Sequence, residues 1–308
     1  MGHPKPLLHL ITGLLAGLAV ACSWTGQGEG GPRYTRDPVD PRTEYVFAVH
    51  PLHNPVRLFD VYGPIIDRIR AECPDLRIRL EASKDYHAFE GKLAARKVHF
   101  ALPNPYQTLL SQASGYRIFG KMGDDQHFRG IILVRRDSGI ESIRDLKGKA
   151  ISYPAPTALA ATLMPQYYLQ THGLEVVRDT RSVYVGTQES VIMNVYLKLT
   201  DAGATWPVPW LRFVQEHPRE AAMLTVKWRT GTLPNNGLVV RDDIPEDVAR
   251  RVERALFSLH RDPEGRRLLA RIPLSRFEPA TADTYAPVQA FMKRFTAQVH
   301  PLDGWEPR

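Results

Sequence analysis

The chain has 308 residues, 40 Lys+Arg against 33 Asp+Glu, and a formal net charge of +7. A hydrophobic share of 43% with 24% charged residues is ordinary globular composition; it excludes disorder over most of the length and fits two domains with a core each. Basic residues alternate with acidic ones (Arg77 and Arg79 before Glu81, Arg144 before Asp145) and form no block, so no nucleic-acid partner is expected.

Residues 1–21 read as an export signal. His3 and Lys5 precede an apolar, small-residue run from Leu7 to Ala21, short of the roughly 20 apolar residues that a permanent membrane span needs. The run ends Leu18-Ala19-Val20-Ala21-Cys22, which resembles a bacterial lipoprotein cleavage site with Cys22 as the lipid-attachment residue. A cut elsewhere would leave Cys22 as ordinary signal sequence. Cys73 is the other cysteine, so acylation of Cys22 leaves no intramolecular disulfide, and Cys73 beside Pro74 reads as a surface thiol. Residues 22–43 are rich in Gly, Pro and charge and read as a flexible tether. The expectation is a domain in the periplasm or cell envelope, held to a membrane by its N-terminal lipid.

From Tyr45 onward, strand and helix periodicities alternate. Tyr45 to Val49 is a short buried strand, and Leu58, Tyr62, Ile65, Ile66 and Ile69 follow helical spacing. Leu76, Ile78 and Leu80 alternate with Arg77, Arg79 and Glu81, a strand with one wet face. A helix from about Tyr86 to Arg96, a strand at Val98 to Leu102 and a helix opened by Asn104-Pro105 follow. The order βαβαβα predicts a mostly parallel sheet covered by helices. Runs at Tyr116 to Lys121 and Gly130 to Arg135 cross out of this lobe, and the pattern restarts at Leu146 to Tyr153 with a helix from about Thr157 to Leu169. A helix over Glu189 to Leu197, a strand at Asp201 to Thr205, a returning strand at Leu238 to Arg241 and an amphipathic helix through Val248, Val252, Ala255, Leu256 and Leu259 complete it. The expected fold is α/β, with lobe 1 over 44–135 and 240–308, and lobe 2, over 136–239, inserted through two crossovers. Such an arrangement is a hinged cleft, where ligands favour the interface.

Several segments, in this order, resemble the solute-binding proteins of phosphate, phosphite and phosphonate ABC importers (the PhnD-like family). They are Leu80-Glu81-Ala82-Ser83-Lys84-Asp85-Tyr86, Ala101 to Tyr106, Asp145-Leu146-Lys147-Gly148-Lys149, Tyr153-Pro154-Ala155-Pro156-Thr157, Gly186-Thr187-Gln188-Glu189-Ser190 and Leu233-Pro234-Asn235-Asn236-Gly237. The likeness runs from about Tyr45 to Phe291. It implies the two-lobed periplasmic-binding-protein fold of type II and a small oxyanion, phosphate, phosphite or phosphonate, captured between the lobes for an ABC permease and its ATPase.

An oxyanion in a cleft needs directed donors, and helix N-termini supply them. Thr157 stands at a helix start, placed either to cap the helix or to bind ligand. Asn104 opens the matching helix of the first lobe, as cap or ligand donor, and Tyr106 beside it is either a site residue or core. The resemblance implies that Tyr86 closes over the ligand's phosphorus-bound oxygens. Thr187, Gln188 and Ser190 are candidate donors at a second helix start, whereas the Glu189 carboxylate would repel an anion. The chain departs from the family where aminoalkyl phosphonates are bound: Ala158-Leu159-Ala160-Ala161 replaces a Ser-Thr-Ser-Gly segment, Thr187 replaces a histidine, and an acidic residue is lost near Asn236. Those losses favour a smaller or neutral-tailed anion over aminoethylphosphonate. Trp206-Pro207-Val208-Pro209-Trp210 reads as an aromatic cleft wall or a packed hinge loop.

No cofactor and no metal are expected: His50 and His53 flank Pro51 and share no helical face, and no HExxH or paired-cysteine pattern exists. An enzyme on the same scaffold would need an activated nucleophile, and G-x-S-x-G, Walker and G-x-G-x-x-G patterns are missing. The reading is therefore a monomeric binding protein, not an enzyme. Two alternatives stay open: a ligand-sensing protein serving a membrane sensor kinase, and an envelope lipoprotein that has lost its ligand.

Overall fold

The computed structural model describes residues 43–302. The expected export signal, Cys22 and all of the tether but Thr43 lie outside the described residues, as do residues 303–308.

The first lobe begins with β1 (Glu44–Val49), α1 (Pro55–Glu72), β2 (Arg77–Glu81), α2 (Tyr86–Ala94), β3 (Phe100–Leu102), α3 (Pro105–Ala113) and β4 (Tyr116–Met122). Helix α1 shows how the sequence sets this layer. Asn54 accepts the Arg57 amide as N-cap, Pro55 takes the first helical position, and Leu58, Val61, Tyr62, Ile65, Ile66 and Ile69 form one buried stripe. Burying each of those side chains contributes about 1.5–3 kcal/mol against the entropy of ordering the helix. The Cys73 amide closes on the Ile69 carbonyl, and Pro74 stops further winding. Cys73 is buried rather than on the surface, and burial pushes its thiol pKa up against the opposing charge of Arg251.

The chain then crosses to β5 (Arg129–Arg135), β6 (Ala150–Tyr153), α4 (Met164–Thr171), α5 (Val176–Asp179), β7 (Arg181–Tyr184), α6 (Gln188–Tyr196), β8 (Ala202–Thr205), α7 (Pro207–Glu216), α8 (Pro218–Ala222) and β9 (Leu224–Thr232). It returns through β10 (Gly237–Arg241), α9 (Glu246–Ser258), α10 (Pro263–Ala270), β11 (Phe277–Pro279) and α11 (Ala286–Gln298).

Two sheets result, ordered β11-β4-β10-β3-β1-β2 and β7-β6-β8-β5-β9. Within the first, β1 runs parallel to β2 and β3, and β10 is antiparallel to β3 and β4; within the second, β6 is parallel to β7 and β8, and β5 antiparallel to β8 and β9. In each sheet the strand that has just arrived from the other lobe runs antiparallel to both of its neighbours, and β11 adds a second antiparallel strand at the edge of the first sheet. This is the expected two-lobed type II architecture. The boundary expected after residue 135 is corrected: Arg129–Arg135 pairs wholly in the second sheet and Gly237 already in the first, so the crossings are residues 123–128 and 233–236. The run Gly130 to Val134 is apolar throughout because it is buried as an inner strand. That pattern identifies a strand without saying which sheet receives it.

The two crossings are tied to each other. Asn235 donates from Nδ2 to the Gly123 carbonyl at 2.7 Å and from its amide to Asp125 Oδ1 at 2.9 Å, while the Tyr285 hydroxyl donates to the Asn235 carbonyl at 2.7 Å. The segment Trp206 to Trp210 is not a loop but the start of α7, opened by Pro207. The helix expected from Thr157 begins later, as a π-helical turn over Leu159–Leu163 that runs into α4.

Candidate functional site

Tyr86, Asn104, Gln188 and the turn residues Ala158–Ala161 meet between the lobes around a cavity of about 10 Å³, about the size that holds one water. Leu52, Phe128, Trp206 and Asn236 complete its walls. No lining side chain is charged, so the donors that the cavity offers are neutral.

The turn supplies the backbone donors. The Thr162 and Leu163 amides both reach the Ala158 carbonyl, leaving the amides of Leu159, Ala160 and Ala161 without acceptors among the described residues. Gly130 on β5 allows the turn to sit there: a Cβ at that position would lie 2.6 Å from the Ala160 carbonyl oxygen and 2.7 Å from the Pro165 ring. Ala158 and Ala161, with Ala155, pack on the Tyr86 ring.

Tyr86 is the first residue of α2, placed by Asp85, whose carboxylate accepts the Ala88 amide at 2.7 Å. Burial pushes the phenol pKa well up, against a hydrogen bond with Gln188, so the hydroxyl stays a donor. The His50 ring meets the Tyr86 ring edge-on at 6.0 Å. Since His50 Nδ1 lies 2.9 Å from the Leu102 carbonyl, that nitrogen carries the proton; burial lowers the imidazole pKa to about 4 and keeps it neutral.

Gln188 reaches into the cavity from the N-terminus of α6. Its Oε1 accepts from the Thr205 hydroxyl at 2.7 Å, which fixes the amide, and its partner Tyr86 belongs to the other lobe. Gly186 has φ +86° and makes the turn that presents this helix start.

Asn104 and Thr157 join the lobes to each other. Asn104 caps α3 in a reciprocal pair with Gln107 and donates Nδ2 to the Thr157 carbonyl at 3.0 Å. The Thr157 hydroxyl donates to Glu90 Oε1 at 2.5 Å, an oxygen that also accepts from Gln107 Nε2 at 2.9 Å. Thr187 caps α6, accepting the Ser190 amide at 3.1 Å and donating to the Ser190 hydroxyl at 2.8 Å. Both hydroxyls are thereby engaged locally, and neither residue walls the small cavity. Tyr106 is fully buried in the core of the first lobe and lines none of the cavities described.

Besides the turn residues, Leu52, Phe128 and Asn236 stand outside the expected ligand-binding set, and Trp206 belongs to the segment that the sequence offers as an aromatic cleft wall or a packed hinge loop. Trp206 follows a strand end and forms the aromatic wall with Phe128, their rings 5.7 Å apart; Trp210 instead stacks on Phe213. Asn236 is 1% exposed, its Nδ2 3.4 Å from Met122 Sδ and its Oδ1 without a partner. The Pro234-Asn235-Asn236-Gly237 crossing was the signal for it. Leu52 and Phe128 carry no local signature, being single apolar residues in loops.

Known proteins share this fold. A binding-protein component of an ABC phosphonate transporter from Pseudomonas aeruginosa superposes with TM-score 0.76 at 17% identity, over 82% of this chain and 87% of that one. PhnD1 from Prochlorococcus marinus in complex with methylphosphonate gives 0.76 at 14% identity, over 83% and 99%. The alkanesulfonate-binding protein SsuA from Xanthomonas axonopodis pv. citri, bound to MOPS, gives 0.61 at 16% identity, over 84% and 94%. A family model described as "ABC transporter, phosphonate, periplasmic substrate-binding protein" matches residues 47–285, more than half of the chain and both lobes. The chain belongs to that family of periplasmic substrate-binding proteins.

Proposed function

We propose that the chain is a lipid-anchored receptor that captures a small phosphorus oxyanion between its lobes and delivers it to an ABC permease with its ATPase. The observation that carries this reading is the cavity of neutral donors: three unpaired amides at Leu159–Ala161, the Tyr86 hydroxyl and the Gln188 amide, from both lobes, with no carboxylate among the walls. Oriented dipoles of this kind bind an anion without a counter-charge. Ligand enters as the lobes part about residues 123–128 and 233–236, and the donors complete its coordination when they close. Tyr86, Asn104 and Gln188 stand nearest to it. Thr157 holds the closed state from the second lobe, and Thr187 and Ser190 shape the α6 start that presents Gln188. The proposal places the anchor at Cys22, with the domain in the periplasm as a monomer.

The test is a thermal-shift screen of the full chain against phosphate, phosphite, methylphosphonate, aminoethylphosphonate, sulfate and nitrate. A ligand at a hundredfold excess over its Kd adds about 2.7 kcal/mol, enough to raise Tm by a few degrees. The expected result is a shift with a phosphorus oxyanion and a weaker one with aminoethylphosphonate. Stabilisation by sulfate or nitrate alone would overturn the ligand class.

A further inference from the structure

A second cavity, about 330 Å³, adjoins the first, with Leu52 and Gln188 as shared walls. We propose that this chamber takes a carboxylate at the far end of the ligand, so that the preferred ligand is a phosphonate with a carboxylated substituent. The inference rests on the phosphorus-oxyanion reading of the inner cavity, whose volume of about 10 Å³ leaves no room for a tail.

The chamber lies between α1 of the first lobe and α6 and α7 of the second. Arg57 and Arg212 enter it and both donate to the same oxygen, Oε1 of Glu216, with Arg212 Nε at 3.1 Å. Against Glu216 alone the two guanidinium groups leave one positive charge in excess, which the Glu189 carboxylate balances from the rim. The Arg57 Nε is buried and has no acceptor among the described residues. The start of α6 opens into the same space, where the Gln188 and Glu189 amides precede the first intrahelical bond. His53 adds no charge, because burial and the neighbouring Arg57 keep it neutral. One group opposes: the Glu189 carboxylate, 60% exposed at the rim and 3.9 Å from His217 Nε2.

These groups suit a carboxylate and not an ammonium. An arginine fork matches a carboxylate in a two-point hydrogen-bonded pair, and Arg57 keeps one donor, Nε, that Glu216 leaves unused. Recognition is then divided between two cavities: neutral dipoles hold the phosphonate head, and the arginine pair selects the tail. A ligand that reaches Arg57 and Arg212 touches both lobes at each end, so it stabilises closure more than a short phosphonate does.

The test compares methylphosphonate, aminoethylphosphonate and 3-phosphonopropionate by calorimetry on the full chain. 3-Phosphonopropionate is expected to bind at least tenfold more tightly than methylphosphonate. In Arg57→Gln and Arg212→Gln that ratio falls toward one, whereas Glu216→Gln, which releases both arginines, raises it. Reading a ratio within each variant separates tail recognition from any general change in closure. Equal affinities for the two phosphonates, or a ratio unchanged across all three variants, would overturn the chamber's role while leaving the inner site standing. Failure of every phosphonate to bind would sink the inner-cavity reading and this inference with it.

Discussion

The Thr157 hydroxyl donates to Glu90 Oε1 at 2.5 Å, so a hydroxyl placed by the sequence either to cap a helix or to bind ligand fastens one lobe to the other. Glu90 is also the acceptor for Gln107, and Gln107 is locked to Asn104, which returns a donor to the Thr157 carbonyl. The ring Thr157–Glu90–Gln107–Asn104 closes on itself, so each of its bonds polarises the next.

Thr157→Val removes the hydroxyl and leaves Glu90 with one donor fewer. A lost hydrogen bond to a charged group costs about 1.5–3 kcal/mol where it is buried, and less here because Glu90 is only partly buried. The expected outcome is an affinity reduced several-fold for every ligand alike, with selectivity unchanged and Thr157→Ser close to the parent. Small-angle scattering of the ligand-free protein should show a larger radius of gyration for Thr157→Val. A change in ligand preference would instead mean that the hydroxyl touches ligand.

Tyr86→Phe keeps the ring packed on Ala155, Ala158 and Ala161 and removes the phenol donor. Deleting one hydrogen bond to an anion is worth about 1.5–3 kcal/mol, or roughly 10- to 150-fold in Kd. Calorimetry should show that loss for methylphosphonate, with the Tm of the ligand-free protein nearly unaltered. An unchanged Kd would remove Tyr86 from the site.

Gly130→Ala tests the seating of the amide turn. The new Cβ meets the Ala160 carbonyl oxygen at 2.6 Å, and that oxygen belongs to backbone that cannot swing aside. Overpacking of this kind costs about 1–3 kcal/mol. The variant should melt several degrees lower and also bind more weakly, because the turn that must move carries the donors. Lower stability with full affinity would show that the amides of Leu159–Ala161 do not hold the ligand.

His50 gives a pH dependence with a definite sign. Its pKa lies at about 4 in the folded chain against 6.5 ordinarily, so between those values the unfolded chain binds more protons. Stability is therefore full above about pH 6.5 and is lost as pH falls toward 4, by about 1.4 kcal/mol per pH unit for one such group. His53 and His99 are lowered to about 4 as well and add to the slope. Denaturant unfolding at pH 7, 5.5 and 4.5 should show this decline, and His50→Gln should make it shallower. An identical slope in the variant would place the proton uptake elsewhere.

The architecture was legible in the sequence because each strand and helix of the first lobe announces itself locally. Leu76, Ile78 and Leu80 alternate, α1 repeats at three and four residues, and Asn104-Pro105 marks a helix start. What was hidden depends on tertiary placement. The Arg129–Arg135 strand looks the same whichever sheet it joins, and Pro207 and Pro209 obscure the α7 helix because prolines tolerated in a first turn also mark loops. Site residues followed the same division. Tyr86 and Gln188, at helix starts, line the small cavity, whereas Thr157 and Thr187 share that signal but turn their hydroxyls to Glu90 and Ser190. The carbonyl-facing π-helical turn that frees three amides has no sequence signature in Ala158-Leu159-Ala160-Ala161.

Asn236→Asp addresses why this cavity lacks a carboxylate. The side chain is 1% exposed, beside the Trp206 and Phe128 wall, with an oxygen that has no donor. A carboxylate there would face an oxyanion with little water between them, and like charges at such range repel by several kcal/mol at the effective dielectric of a protein interior. Methylphosphonate should therefore bind at least tenfold more weakly to Asn236→Asp. Aminoethylphosphonate carries an ammonium that can answer the new charge, so its affinity should fall less or rise, reversing the order of the two ligands. Competition calorimetry with both ligands on parent and variant reads that reversal directly. If both lose affinity equally, the ammonium does not reach position 236.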